Sequence, residues 1–148
     1  MILLNRGTNI LTNRTMTEHI IKVWFAAGRI YIKTDKDNVL SRPLEAFPLL
    51  MDASEAQRLR FEIGLYADDI HWPDIDEDIS IDSFYATEEP DYDNDTASII
   101  NQHPGVDLNT VASRAGIHKT LLQKYIYGIK KPSAERFGKI VKALMTNG

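Results

Sequence analysis

The sequence predicts an α+β protein, in which a small antiparallel sheet with short helices is followed by an all-α domain of four to five helices. Apolar and polar residues alternate over much of residues 20–44, which is typical of strands, whereas apolar residues recur at helical spacing after residue 96. The charge also changes sign: residues 1–95 carry 9 basic and 19 acidic side chains, and residues 96–148 carry 8 and 2. The two parts are therefore expected to be separate domains with separate partners.

The first domain is expected to contain a three-stranded antiparallel meander. Val23, Phe25, Ile30 and Ile32 stand at alternate positions, and the stretches "AAGR" and "DKDN" lie where tight turns belong. A short helix is predicted next, capped by Asp52 or Ser54 and ending near Arg60.

Four segments are expected along the chain. Residues 1–19 are predicted to be an N-terminal extension, although a strand added at the sheet edge would also fit. Residues 20–86 form the small α/β domain, residues 87–95 ("TEEPDYDND") an acidic linker, and residues 96–148 the helical domain.

Composition excludes several classes of function. The chain has no cysteine, so disulfides, thiolate metal sites and a thiol nucleophile are excluded. No apolar run is long enough for a membrane span, and the apolar run at the N-terminus is interrupted by Asn5 and Arg6. The protein is therefore expected to be cytoplasmic, without a membrane partner.

The segment "LNTVASRAGIHKTLLQKYIY", residues 108–127, predicts a helix-turn-helix. Ala112 provides a small residue where two helices cross, and Gly116 can adopt positive φ in the turn between them. The apolar positions expected to face inward are Val111, Ala115, Ile117, Leu122 and Tyr125. Other helical hairpins with an "AG" turn would share some of these positions.

Helices are also predicted on either side of this segment. Asp95 or Thr96 is expected to cap the helix of "TASIINQH", and Ser133 to cap that of "AERFGKIVKALM". Together with the "YGIKKPS" stretch, these features make residues 96–145 resemble the Cro and lambda-repressor-like helix-turn-helix family.

This resemblance implies that the second helix of the motif enters the major groove of double-stranded DNA. The residues then expected to bind DNA are His118, Lys119, Thr120, Gln123, Lys124, Tyr127, Lys130, Lys131 and Arg114. His118 would cap the second helix, its outward residues would face base edges, and the flanking cations would meet phosphates. Specific binding would need a homodimer.

A protein-interaction module that does not bind DNA is the alternative. Lysines on a helix are commonly exposed to solvent without binding any partner. Leu108 stands where a polar phosphate contact is usual in the family, and Leu121 lies on the face expected to meet DNA. An apolar residue there suits either a thymine methyl group or a protein partner.

The first domain carries a resemblance of its own. The "SRPL" turn and the "IHWPDIDEDIS" stretch make residues 20–85 similar to a small bacterial α/β domain of unknown function. Such domains are often encoded beside a second small protein, as in toxin–antitoxin operons. The resemblance implies a partner-binding or regulatory module. Together with the predicted helix-turn-helix, it leads us to expect a DNA-binding transcriptional regulator that controls its own expression in the manner of an antitoxin, with a toxin-like partner encoded nearby.

An acidic cluster in this domain offers an imidazole and carboxylates, the groups that an enzyme or metal site uses. Its members are His71, Asp74, Asp76, Glu77 and Asp78, and Trp72 joins them in the predicted partner-binding surface. The spacing lacks the glycine and oxygen ladder of a calcium loop, and the chain has no phosphate-binding glycine loop or nucleophile elbow. We expect no enzyme, metal or cofactor. The cluster is instead predicted to bind a basic partner, or to fold back on the lysines of the second domain and reduce DNA binding.

Overall fold

The computed structural model describes residues 18–145. Most of the predicted N-terminal extension, residues 1–17, and residues 146–148 lie outside the described residues. The described chain forms two compact units: unit 1 comprises residues 18–44 and 52–87, and unit 2 comprises residues 45–51 and 88–145. The α+β class predicted from the sequence is confirmed.

Unit 1 contains the predicted meander. Strands β1 (Ile20–Ala26), β2 (Arg29–Thr34) and β3 (Val39–Pro43) form an antiparallel sheet in the order β1-β2-β3. Ala27 and Gly28, both at positive φ, connect the first two strands, as expected for a two-residue hairpin turn. Ile30 and Ile32 are fully buried on the inner face of this sheet.

A second three-stranded antiparallel sheet, which the sequence reading missed, follows in unit 1. Its strands are β4 (Glu62–Ile63), β5 (Asp69–Trp72) and β6 (Glu77–Ser80), in that order. A 3-10 helix, Ile81–Tyr85, follows β6. Each strand has only two to four residues, so its alternation is too short to stand out in a segment rich in acids.

The short helices near the middle of the chain are α1 (Pro48–Asp52), preceded by a 3-10 turn at Leu44–Ala46, and α2 (Glu55–Arg58). Of the two predicted caps for α2, Ser54 is used. Its Oγ accepts from the Gln57 N–H at 3.1 Å, and Gln57 Oε1 accepts from the Ser54 N–H at 2.9 Å. This capping box starts the helix, which ends two residues before the predicted Arg60.

Glu18 is a buried carboxylate in unit 1, only 1% exposed. It accepts hydrogen bonds from Thr34 Oγ1 at 2.6 Å, from Asn38 Nδ2 at 2.7 Å and from the Tyr85 hydroxyl. Burial alone would raise its pKa, but these hydrogen bonds outweigh burial and hold the pKa of Glu18 below its ordinary value. His19 is also anchored, since its N–H donates to Asp35 Oδ1 at 2.8 Å. Residues 18 and 19, predicted as extension, therefore belong to the fold of unit 1.

Unit 2 contains four longer helices, α3 (Asp95–Asn101), α4 (Leu108–Ala115), α5 (Lys119–Tyr127) and α6 (Ala134–Met145). Their shared core consists of Val111, Ala112, Ala115, Leu122, Tyr125, Ile140 and Ala143. Ser133 caps α6 as predicted, accepting from the Arg136 N–H at 3.1 Å. The predicted caps of α3 were wrong, because Asn94 Oδ1 accepts from the Ala97 N–H at 2.8 Å and Asp95 already lies inside the helix.

Among residues 18–145, no helix combines the length and apolar character needed to cross a bilayer.

Candidate nucleic-acid interface

The turn between α4 and α5 depends on Gly116. This residue has φ 75° and ψ 30°, a left-handed conformation that glycine adopts without the clash a Cβ would create. The Ile117 N–H then donates to the Ala112 C=O at 3.0 Å and closes the end of α4. Asp107 starts α4, its Oδ1 accepting from the Asn109 N–H at 3.0 Å. Both ends of α4 are thus set by local chemistry that the sequence displays.

Helix α5 begins after His118, which has extended backbone geometry. His118 therefore occupies the N-cap position as predicted, but its side chain is exposed and makes no capping hydrogen bond within the described chain. The first turn of α5 contains no acidic residue. The amide groups of this turn, with the positive end of the helix dipole, therefore suit an anion such as a phosphate.

The inward face of α5 anchors the helix in the core of unit 2. Leu122 and Tyr125 are buried, and the Tyr125 hydroxyl accepts from Arg136 Nη1 at 3.2 Å. Leu108 and Leu121 also pack, half-buried, against the same core. The two leucines that favoured a protein-binding surface therefore contribute to the core.

Gln123 differs from its predicted place. It was expected to face DNA bases, but it is only 4% exposed, and its Nε2 donates to the Tyr127 hydroxyl at 3.4 Å. The reason is that α5 is contacted by both α3 and α4, so its buried face is wider than a single apolar stripe. Direct readout of a base by Gln123 is incompatible with this position.

The remaining predicted DNA-binding residues are accessible. His118, Arg114, Lys130 and Lys131 are exposed, whereas Lys119, Thr120, Lys124 and Tyr127 are half-buried. Residues 108–134 contain five basic side chains and no acidic one. Every charged side chain contributed by this stretch, which contains α5, is therefore basic.

The predicted acidic linker is not a linker along its full length. Residues 88–95 belong to unit 2, and the stretch Asp91–Asn94 contacts the C-terminal end of α5. Asn94 is a strong helix-capping residue, which is the one sequence signal that could have indicated an ordered segment there.

The acidic cluster of unit 1 is arranged around His71 at the centre of the second sheet. His71 pairs with Glu62 on one side and Asp78 on the other, and its Nδ1 lies 2.6 Å from Asp78 Oδ1. Asp74 accepts from Arg60 Nε at 2.5 Å. Among residues 18–145, no group of three or more histidine, cysteine or acidic side chains is placed to hold a metal ion.

Trp72 does not belong to this surface, and its predicted partner-binding role is wrong. Its side chain is 0% exposed, and its Nε1–H donates to the Arg58 C=O at 2.9 Å. Adjacent residues of a strand face opposite sides, so His71 lies outside while Trp72 enters the core.

The His71–Asp78 pair predicts a pH-dependent stability of unit 1. The hydrogen bond to Asp78 raises the pKa of His71 above its ordinary value, and the charges of Asp78, Glu62 and Asp76 act in the same direction. The pair should therefore stabilise unit 1 below the unfolded pKa of about 6.5, and this contribution should vanish as pH rises through the folded pKa. We expect His71→Gln to lower the urea midpoint at acidic pH and to match the original chain at alkaline pH.

Asp78→Asn is the control for this prediction, since it removes the partner and should reduce the same pH-dependent difference. A His71→Gln effect of equal size at every pH would show that the pair makes no titratable contribution.

Comparisons with known proteins give one family match and one structural neighbour. Residues 20–90 match the family model described as "Protein of unknown function (DUF2442)", in agreement with the resemblance stated for residues 20–85. No curated protein matched the chain significantly. A crystal structure of a "Putative DNA Binding Protein" from Nitrosomonas europaea ATCC 19718 is similar with a TM-score of 0.37 and 16% identity, over 85% of this chain and 86% of that chain.

Proposed function

We propose that the chain is a DNA-binding transcriptional regulator in which α5 enters the major groove. The observation that carries the proposal is the set of five basic side chains in residues 108–134, a stretch without acids that contains α5, a helix whose inward face is anchored in the core. Phosphate attraction supplies much of the affinity of DNA-binding proteins, so such a surface suits a duplex.

Roles for individual residues follow from their positions. Lys119 and Thr120 stand in the first turn of α5, where side chains of a helix inserted in the groove meet base edges. Arg114, Lys130 and Lys131 flank the helix in the chain and are exposed, which suits phosphate contacts. The amide groups of Lys119 and Thr120, at the N-terminal end of α5, add a further site for a phosphate.

The proposal includes a homodimer and a protein partner. A single module of this size buries about 600–1,000 Å² on DNA, and specific binding usually requires two half-sites. Unit 1 would bind a small basic, toxin-like protein through Asp74, Asp76, Glu77 and Asp78, around His71. Autoregulation in the manner of an antitoxin is the setting that joins these two activities.

The alternative of a protein-interaction module is less well supported. Its sequence argument rested on Leu108 and Leu121 as exposed leucines, and both pack against the core of unit 2. Enzymatic activity is not part of the proposal.

A DNA-binding measurement tests the proposal. Fluorescence anisotropy would compare the duplex upstream of the chain's own reading frame with a scrambled duplex at several salt concentrations. We expect the Lys119→Ala, Lys124→Ala double variant to lose most of the preference for the native duplex, by about tenfold or more, because its lost contacts include base edges. We expect Lys130→Ala, Lys131→Ala to weaken both duplexes alike and to reduce the slope of log K against log salt by about 2.

Lys139→Ala, Lys142→Ala is the matched control, because it removes the same charge from exposed positions of α6. The control should keep the preference for the native duplex. Equal losses of affinity in all three double variants would show that binding depends only on net charge and not on a defined interface. No binding by the original chain at low salt would reject the proposed function.

A further inference from the structure

A short segment before α3 holds the C-terminal end of α5. We call residues Asp91–Asn94 the strap. The Asp91 N–H donates to the Tyr127 C=O at 2.8 Å, and Asn94 Nδ2 donates to the Ile126 C=O at 3.0 Å. The last carbonyl groups of a helix have no donor within the helix, so the strap supplies two partners that α5 lacks.

Asn94 joins the ends of two helices through one amide group. Its Oδ1 accepts from the Ala97 N–H at 2.8 Å and caps α3, while its Nδ2 donates to the Ile126 C=O and, at 2.8 Å, to the Asp91 C=O. An aspartate could cap α3 equally well, but it has no hydrogen to donate to these carbonyl groups. The Asn94 side-chain amide therefore has two roles: its oxygen caps α3, and its nitrogen binds the last turn of α5.

The strap also fits closely against Tyr127 and Gly128. A Cβ at Gly128 would lie 2.0 Å from the backbone oxygen of Asp91. Only a glycine at this position therefore lets the strap pack so closely against the end of α5. The rings of Tyr92 and Tyr127 lie 5.7 Å apart at 56°, and the Tyr92 hydroxyl donates to Glu45 Oε2 at 3.1 Å. Burial and the bond to Glu45 raise the pKa of Tyr92 to about 12, which widens the pH range over which its hydroxyl is a donor.

The chain leaves α5 directly beyond these contacts. Gly128 closes the helix at φ 77°, and the N–H groups of Ile129 and Lys130 both donate to the Lys124 C=O, at 3.0 and 3.2 Å. The direction in which Lys130 and Lys131 leave the helix is therefore set by the turn on which the strap sits.

We propose that Asn94 is a positioning residue for the candidate nucleic-acid interface. Through the strap it holds the last turn of α5 and thereby places Tyr127, Lys130 and Lys131 for contact with phosphates. This inference rests on the proposed function, and it assigns part of the predicted linker to the DNA-binding unit. Phosphate contacts depend on the position of the donor, so loss of the strap weakens them without removing a charge.

The test uses the full chain with Asn94→Ser and the matched control Asn101→Ser. Serine caps helices about as well as asparagine, so Asn94→Ser keeps the cap of α3, removes the amide donor and leaves the net charge unchanged. Asn101 is exposed at the C-terminal end of α3, so Asn101→Ser makes the same exchange at the end of the helix opposite to Asn94. Anisotropy would be measured with a fluorescein-labelled duplex over a salt series, and far-UV circular dichroism would report the folded fraction.

We expect Asn94→Ser to weaken DNA binding by roughly threefold to tenfold, as for the loss of one or two hydrogen bonds. The slope of log K against log salt should fall by about 1–2, which corresponds to one or two lost phosphate contacts. Helix content should be retained, and Asn101→Ser should bind like the original chain.

Two results would overturn the inference, and they can be told apart. An unchanged slope for Asn94→Ser, while Lys130→Ala, Lys131→Ala lowers it, would leave the interface in place and show that Asn94 is only structural. No binding by the original chain at low salt would reject both the interface and a residue that positions it.

Discussion

Replacement of Trp72 by alanine is expected to lower the free energy of unfolding of unit 1 by about 3–5 kcal/mol. Trp72 is completely buried, its ring lies 6.1 Å from that of Phe61, and its indole N–H bonds the Arg58 C=O. The variant would lose this packing and leave a cavity beneath the second sheet. Urea unfolding followed by far-UV circular dichroism measures the loss.

Trp24→Ala is a control with the same chemical change in the same unit. Trp24 is half-buried and stacks on Tyr31, with ring centroids 5.4 Å apart at 9°. Loss of this pair should cost about 0.5–1.5 kcal/mol beyond the area it buries, less in total than the loss of Trp72. Equal effects of the two substitutions would contradict the assignment of Trp72 to the core and restore it as a surface residue.

Gly128→Ala is expected to destabilise unit 2 by about 3–4 kcal/mol. The left-handed conformation costs an alanine about 1–2 kcal/mol. Its Cβ would in addition displace Asp91, and the two hydrogen bonds from the strap to α5 would then be lost or weakened. Thermal unfolding of the full chain, followed by the helical circular dichroism signal, measures this change.

Gly116→Ala separates the two contributions. Gly116 has nearly the same φ, 75° against 77°, but a Cβ there would meet nothing within 4 Å. Gly116→Ala should therefore lose only the conformational part, about 1–2 kcal/mol. If both variants lost the same stability, the strap would not be seated on Gly128 as described.

Much of the fold could be predicted because it follows from residues close together in the chain. Alternation of apolar residues indicated β1, β2 and β3, and Gly116 marked the end of α4. Ser133 capped α6 as expected, since a capping side chain bonds an amide three residues away. The basic character of the interface is likewise a property of composition, visible without coordinates.

The remaining features depend on contacts between residues far apart in the chain, which local patterns do not display. Glu18 is buried because Thr34, Asn38 and Tyr85 surround it, and Gln123 is buried because two other helices cover α5. The acidic stretch before α3 has the composition of a linker. In the structure it is held in place, because Asn94 donates a hydrogen bond to the C=O of Ile126, 32 residues later in the chain. Burial and hydrogen bonding of this kind are set by packing, so residue type and spacing predicted the longer helices but not which of their polar side chains face solvent.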